Sequence, residues 1–284
     1  MTELQDGAAV LAAPLDRGEP GALGRGLRSF GRGLASVFTL LVVLAAWEGF
    51  ARAGVVSSFL LPPLSVVVER VWDDTLSGDL LTNLGLTLYR GLLGFAIAGT
   101  AGVALGILMA RNKAFRWFFD PIVSVGFPMP KIAFLPVFML WFGLYDASKL
   151  TMIVFSAIFP VVVATVAGTE GVEKELLWSA RSLGAGERRL LWEIVLPAAL
   201  PQILTGLQVA LPVALIVAIV TEMLMGGAGL GGAMINASRF ADSPGVFAGI
   251  VEIAVAGFAL VRGIAVLRRH LLRWHQEARD PTTV

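Results

Sequence analysis

The chain has 284 residues, of which 56% are hydrophobic and only 15% charged. Soluble domains run nearer half apolar and a quarter charged, so the composition points to a membrane protein. A net charge of +1 gives no global field for nucleic acid, and the absence of cysteine excludes disulfides, thiol catalysis and thiolate metal sites.

Residues 1–33 carry both charge signs and read as a flexible cytoplasmic tail. A transmembrane helix takes about 20 mostly apolar residues. Six segments meet or approach that length: Leu34–Phe50, Gly91–Ala110, Trp117–Leu144, Leu150–Gly168, Ile203–Met225 and Gly245–Leu267. Residues 34–267 are therefore expected to form the membrane domain and 268–284 a second cytoplasmic tail. The first run is not a signal peptide, although Ala51-Arg52-Ala53 gives an A-x-A. It is too long, Glu48 interrupts it, and a charged tail precedes it.

Lys and Arg accumulate on the cytoplasmic side of a membrane protein. With six crossings, the two tails, the 111–116 link and the 169–202 loop share one side and hold fifteen Lys and Arg residues. The other side holds five: Arg52, Arg70, Arg90, Lys149 and Arg239. Both termini are thus expected in the cytoplasm.

Along the second span, Gly94, Ala98, Gly102 and Gly106 recur every four residues. They form one helical stripe of small residues, which lets a neighbouring helix approach closely in lipid. The third segment is long and contains Asp120 and Lys131, with Pro128, Pro130 and Pro136 around the lysine. Prolines remove backbone donors and bend helices, which is tolerated where backbone lines a cavity. Two readings of Lys131 stand: a cation facing an anionic solute in a translocation path, or one that snorkels or pairs with a carboxylate. Glu222 and Glu252 fall towards the outer ends of their spans. They read as parts of an outer gate or a contact for a binding protein, or as plainly paired or solvated groups. Arg262 snorkels inward.

The 169–202 loop is too polar to span and too patterned to be slack. Val172, Leu176, Leu177, Ala180 and Leu183 fall at helical spacing. Gly184 follows where a left-handed helix cap suits glycine. A second helical run starts near Gly186 and is expected to bury Leu190, Leu191, Ile194 and Val195. Pro197 and Pro201 are expected to end it before the fifth span.

At these residues the chain resembles the membrane subunits of ATP-binding-cassette importers. Their cytoplasmic signature is Glu-Ala-Ala, three residues, Gly, nine residues, then Ile-x-Leu-Pro. Here Ala180, Gly184 and Ile194-Val195-Leu196-Pro197 stand at those spacings, while Trp178 and Ser179 replace the Glu-Ala pair. The stretches PMPKIAFLPVFMLWFGLYDASKL, FPVVVATVAG, VTEML and GAGLGGAM resemble the nitrate, sulfonate and taurine branch, and the likeness covers roughly residues 60–268.

That resemblance implies an all-α polytopic membrane protein of about six transmembrane helices, of the type I importer permease kind. A coupling loop built on Ala180, Arg181, Leu183, Gly184, Ala185, Ile194, Leu196 and Pro197 would dock on a separate cytoplasmic ATPase. ATP and Mg would be bound by that partner and no cofactor by this chain. An extracytoplasmic solute-binding protein and a second permease copy, giving a homodimer in a bacterial inner membrane, complete the implied assembly. Pro128, Pro130, Lys131, Pro136 and Glu222 are the candidates for the path of a small, anionic solute.

Three further motifs bear on the alternatives. Gly227, Gly229 and Gly232 satisfy G-x-G-x-x-G, but no strand precedes them, so they read as a tight turn rather than a phosphate site. Asn236-Ala237-Ser238 matches a glycosylation sequon by chance. No G-x-x-x-x-G-K-[ST] phosphate loop occurs, so the chain supplies no ATPase of its own. An ion-driven secondary transporter is the leading alternative, and it usually shows internal repeats and midplane carboxylates that are not evident here. A membrane-embedded enzyme lacks candidate cysteine, intramembrane histidine or metal ligands.

Overall fold

The computed structural model describes residues 38–274, all of whose regular elements are helical. The expected N-terminal tail, residues 34–37 of the first expected span and residues 275–284 of the C-terminal tail lie outside the described residues. The chain divides into two units, Met1–Val56 and Ser57–Val284. In the first, helix α1 covers 38–52. Its Phe38, Leu41 and Val43 are exposed, as suits a helix whose surrounding solvent is lipid.

The second unit begins with α2 (Leu64–Ser77), capped by Gly78 in the left-handed region at φ 86°. Then follow α3 (Asp79–Arg111), α4 (Lys113–Gly126), a 3-10 turn (Lys131–Phe134) and α5 (Leu135–Phe142). After these come α6 (Asp146–Glu170), α7 (Lys174–Ser182), α8 (Glu187–Leu190), a π-helical turn (Leu191–Val195) and α9 (Leu196–Met225). The hairpin helix α10 (Leu230–Arg239) and α11 (Ser243–Leu271) complete the unit. Among the described residues, α3, α6, α9 and α11 are long and apolar enough to cross a membrane, and α4 with α5 qualifies as one broken span.

The core is the packing of α6 between α3 and α9. Ala98, Ile153, Ala157, Val161, Ala210, Ala214 and Ala218 form its fully buried centre. The small stripe on α3 faces α6 as the spacing predicts. A Cβ on Gly102 would stand 2.8 Å from the Val161 Cβ, closer than real carbons come. One turn further along α6, a Cβ on Gly206 of α9 would reach to 2.5 Å from that of Ala164. Small residues therefore set the distances of both pairs, and dispersion contacts replace the hydrophobic drive that lipid does not supply.

The third expected span departs from the simple reading. It starts earlier, at Lys113, where the Asn112 side chain caps α4 by accepting from the amides of Ala114 and Phe115. It then breaks after Gly126, and the two halves diverge by 102°. Pro128 and Pro130 lack the N–H that would continue the ladder, and Pro130 disfavours helical backbone at Met129. The pair still runs from one end of the bundle to the other. At its start Arg116 pairs with Glu170, the last residue of α6. At its finish the Ser148 hydroxyl, near the start of α6, donates to the carbonyls of Phe138 and Gly143. Exposed Trp117 and Trp141 mark the two ends, as belts of aromatic residues do at membrane interfaces.

The expectation that Pro197 and Pro201 end the surface helix is corrected. Backbone at Leu190, Leu191, Val195 and Leu196 is right-handed helical throughout, so the chain runs from α8 into α9 without a stop. The π turn shifts the bonding so that the Leu196 amide donates to Leu191. That widening accommodates Pro197, which has no N–H to give.

Candidate functional site

The segment between α6 and α9 has the expected helix–glycine–helix form. At the end of α7 the Gly184 amide donates to the Arg181 carbonyl at 2.9 Å, and the Ala185 amide donates to the Ala180 carbonyl at 3.0 Å. These two bonds are a Schellman cap, which requires left-handed backbone at the glycine, and Gly184 has φ 84°. A Cβ there would meet nothing within 4 Å, so conformation and not space selects glycine.

The cap presents an apolar surface. Ala180 and Leu190 are buried, but Leu183 is 87% exposed and Trp178 59%. Leu176 is exposed as well, so the apolar stripe of α7 is only partly covered. Arg181 pairs with Glu187 across the turn, and Glu187 also takes the Arg111 guanidinium. The 111–116 link and the α7–α8 segment therefore share one end of the molecule, as charge counting expects. Ile194 and Pro197 line a groove of about 640 Å³ that Trp274 also borders, while Leu196 opens α9.

At the break in the third span, the Lys131 ammonium donates to the carbonyl of Phe127 at 2.8 Å and, less closely, to that of Met129 at 3.4 Å. It also lies over the rings of Phe159 and Phe127, at 5.1 and 5.9 Å from their centroids. The lysine thus caps the carbonyl end of α4, where a helix dipole favours a cation. Pro136 occupies the second position of α5, where a missing N–H costs no helical bond.

Glu222 is not among these residues. It lies fully buried near the end of α9, where its carboxylate accepts from Arg90 at 2.7 Å and from the Thr87 hydroxyl at 2.8 Å. The Gly231 amide donates to it at 3.2 Å. Arg90 also bonds Asp146 of α6 and the Ala228 carbonyl. Lys149 donates to the Gly226 carbonyl, and the Asn83 side chain accepts from the Gly229 amide. The glycine-rich turn is thereby wrapped around a buried carboxylate. Gly229 has φ 131°, and any Cβ on it would overlap the Glu222 carboxylate. Of the readings of Glu222, as part of the solute path, as part of a gate or as a paired group, the described residues show it buried and paired with Arg90.

The structure therefore brings together Ala180, Arg181, Leu183, Gly184 and Ala185 at one end, and Pro128, Pro130, Lys131 and Pro136 at the bend. The network of Thr87, Arg90, Asp146 and Lys149 was not singled out by the sequence reading beyond the counting of loop cations. Its signal was present: Asn83, Thr87 and Arg90 lie one turn apart on a helix that is otherwise apolar, and an intramembrane carboxylate needs a partner.

An all-helical membrane bundle with α6 at its centre and a capped, partly apolar helical turn at one end is the architecture of an importer permease subunit. The family model described as "Binding-protein-dependent transport system inner membrane component" matches residues 102–273, and the chain belongs to that family. It is 34% identical over 247 residues to the taurine transport system permease protein TauC of Escherichia coli K12, covering 85% of this chain and 90% of the relative. It is also 34% identical over 233 residues to a putative aliphatic sulfonates transport permease protein, SsuC, of Bacillus subtilis 168, covering 82% and 84%. Among solved structures, an amino acid ABC transporter shares the fold with a TM-score of 0.55 and 20% identity, over 70% of this chain and 95% of that one. The chain is thus a membrane permease subunit of an ATP-binding-cassette importer, a transport component whose family implies a separate ATPase and a binding protein.

Proposed function

We propose that this chain forms, as a homodimer, the path by which a small aliphatic sulfonate of the taurine kind crosses a bacterial inner membrane. The observation that carries this reading is the 34% identity, over more than four fifths of the chain, to permeases named for taurine and aliphatic sulfonates. A cytoplasmic ATPase binds ATP and Mg and docks on α7 and α8, with Leu183 and Trp178 as its apolar contacts and Gly184 holding the turn. Trp178 stands where the family signature has an acidic residue, so the contact here is apolar where that signature offers a charge. Both termini and the α7–α8 end face the cytoplasm. The solute passes along the bend at Pro128, Pro130, Lys131 and Pro136, with Lys131 as the cation nearest a sulfonate. Glu222 serves as a post that fixes the outer loop and does not touch the solute.

The test is reconstitution with the ATPase and binding protein in proteoliposomes. Gly184→Val should abolish ATP-driven taurine uptake and the stimulation of ATP hydrolysis, while leaving the permease folded and membrane-inserted. Wild-type coupling in that variant would sink the docking assignment. Uptake that persists without ATP and collapses with an ionophore would favour a secondary transporter.

A further inference from the structure

The two sides of α11 carry their arginines differently. The inner side packs on α2, α9 and α10, and Gly257 and Leu260 border the groove along α9. Arg268 reaches across that side to the Gln208 side-chain oxygen at 2.9 Å and the Thr205 hydroxyl at 3.1 Å. Protein oxygens thus hold this arginine. Both acceptors lie in the first half of α9, so the last turns of α11 stand at the α7–α8 end of the bundle.

The outer side has no such partners. Val255, Phe258, Arg262, Val266 and Arg269 follow one another at steps of three and four residues, so they stand on one face of the helix. All five are exposed, as is Arg273 in the turn that follows. Arg262 lies roughly 10 Å short of Arg269 along the axis, by the rise of a helix, and therefore within the span. Its guanidinium sits over the Phe258 ring, 5.2 Å from the centroid. A ring steadies the charge but offers its N–H donors no oxygen. Among the described residues, Arg262, Arg269 and Arg273 have no carboxylate partner. The sequence from Ile253 to Gln276 contains no acidic residue either.

An unpaired cation within a span is costly, and an anion drawn to it lowers that cost. The rest of the face is valine and phenylalanine, so the anion that fits carries apolar chains of its own. The bend of the third span packs on α3 and α6, whereas α11 packs on α9, so this face lies apart from the bend.

We propose that the outer face of α11 is a binding site for an anionic phospholipid. The phosphate sits at the level of Val266, within reach of Arg262 on one side and Arg269 and Arg273 on the other. The acyl chains run on past Phe258 and Val255. Guanidinium suits this role because its forked N–H groups pair with two phosphate oxygens at once. The site goes beyond the transport reading and stands whichever solute is carried.

The test uses the full-length permease in nanodiscs of phosphatidylcholine with a rising fraction of phosphatidylglycerol. The melting midpoint should rise and saturate. The phosphatidylglycerol fraction that gives half the rise should grow about fivefold in Arg262→Gln and about fivefold in Arg269→Gln, the scale of one cation at an anionic surface. Lys113→Gln removes a charge at the same end of the bundle, away from the face, and should leave it unchanged. Midpoints in phosphatidylcholine alone report that the variants fold. Should Arg262→Gln not fold, Arg262→Lys keeps the charge, loses the fork and should show a smaller loss in the same direction.

An unchanged half-point in both glutamine variants overturns the proposal, and so does an equal loss in Lys113→Gln. Sodium phosphate that reproduces the rise in phosphatidylcholine alone would make the face a site for a free anion and not for a lipid. A second copy is the other possible occupant, and the cysteine-free chain allows a direct check. Arg262→Cys should stay monomeric on non-reducing gels after oxidation in the membrane; efficient disulfide cross-linking of two copies through it overturns the lipid site.

Discussion

Glu222 and Arg90 form a charge pair that is sealed from solvent on the carboxylate side and nearly so on the other, with Arg90 at 6% exposure. Taking one charge away strands its partner in a low-dielectric site, which costs about 3–5 kcal/mol, whereas replacing both by apolar residues is often close to neutral. Arg90→Met or Glu222→Met alone should therefore destabilise the permease by about that amount, and the double Met variant by clearly less. Thermal unfolding of the four proteins in one detergent reads the coupling, and additive losses would refute it. The glutamate could be found in the sequence because a carboxylate in an apolar run stands out. Its partner could not be assigned, since 132 residues separate the two and Arg90 looks like any other outer-side cation. Gly184 was legible for the opposite reason: a Schellman cap is local, and its spacing to Ala180 carries its geometry.

At the scale of elements, legibility followed length and periodicity. The second, fourth, fifth and sixth spans were readable as long apolar runs, and the stripe on α3 gave its packing face. The helices α2 and α10 went unmarked because they are short and mixed in polarity. They are held by contacts with α11 and, for α10, with α9. The prolines misled in one place and not the other. At 128 and 130 they break a helix that has nothing to replace the lost bonds except the Lys131 cap. At 197 a π turn absorbs the defect. The α3–α6 interface yields a paired prediction. Gly102→Val forces branched carbon against Val161 and should cost about 1–3 kcal/mol of stability. Gly85→Ala lies in the same helix but in open space. It should add about 0.5–1 kcal/mol through reduced backbone entropy. Melting midpoints moving in opposite directions would confirm that close approach, and not glycine content, governs α3.

For the whole molecule, the helix ends sort into two sets without reference to a membrane. One set joins Arg116 to Glu170 and Arg111 to Glu187, beside the α7–α8 turn. The other joins Arg90 to Asp146 and Glu222, with Arg70 and Asp242 near the turn before α11. Because the bent α4–α5 pair links the two sets, it counts as one crossing, and the parity that charge counting assumed holds from α3 onward. Which set faces the cytoplasm is then a single binary question, and the lack of cysteine makes it easy to ask. Leu183 and Phe240 lie in opposite sets and are 87% and 84% exposed, so a cysteine at either should react freely where reagent can reach it. Intact cells treated with a membrane-impermeant maleimide should label Phe240→Cys and spare Leu183→Cys until the membrane is opened. Adding the purified ATPase to opened membranes should then protect Leu183→Cys and leave Phe240→Cys reactive. The reverse labelling pattern would place the Gly184 turn outside the cell, where no ATPase could grip it. Correct sidedness without protection would keep the topology and remove the docking role from α7.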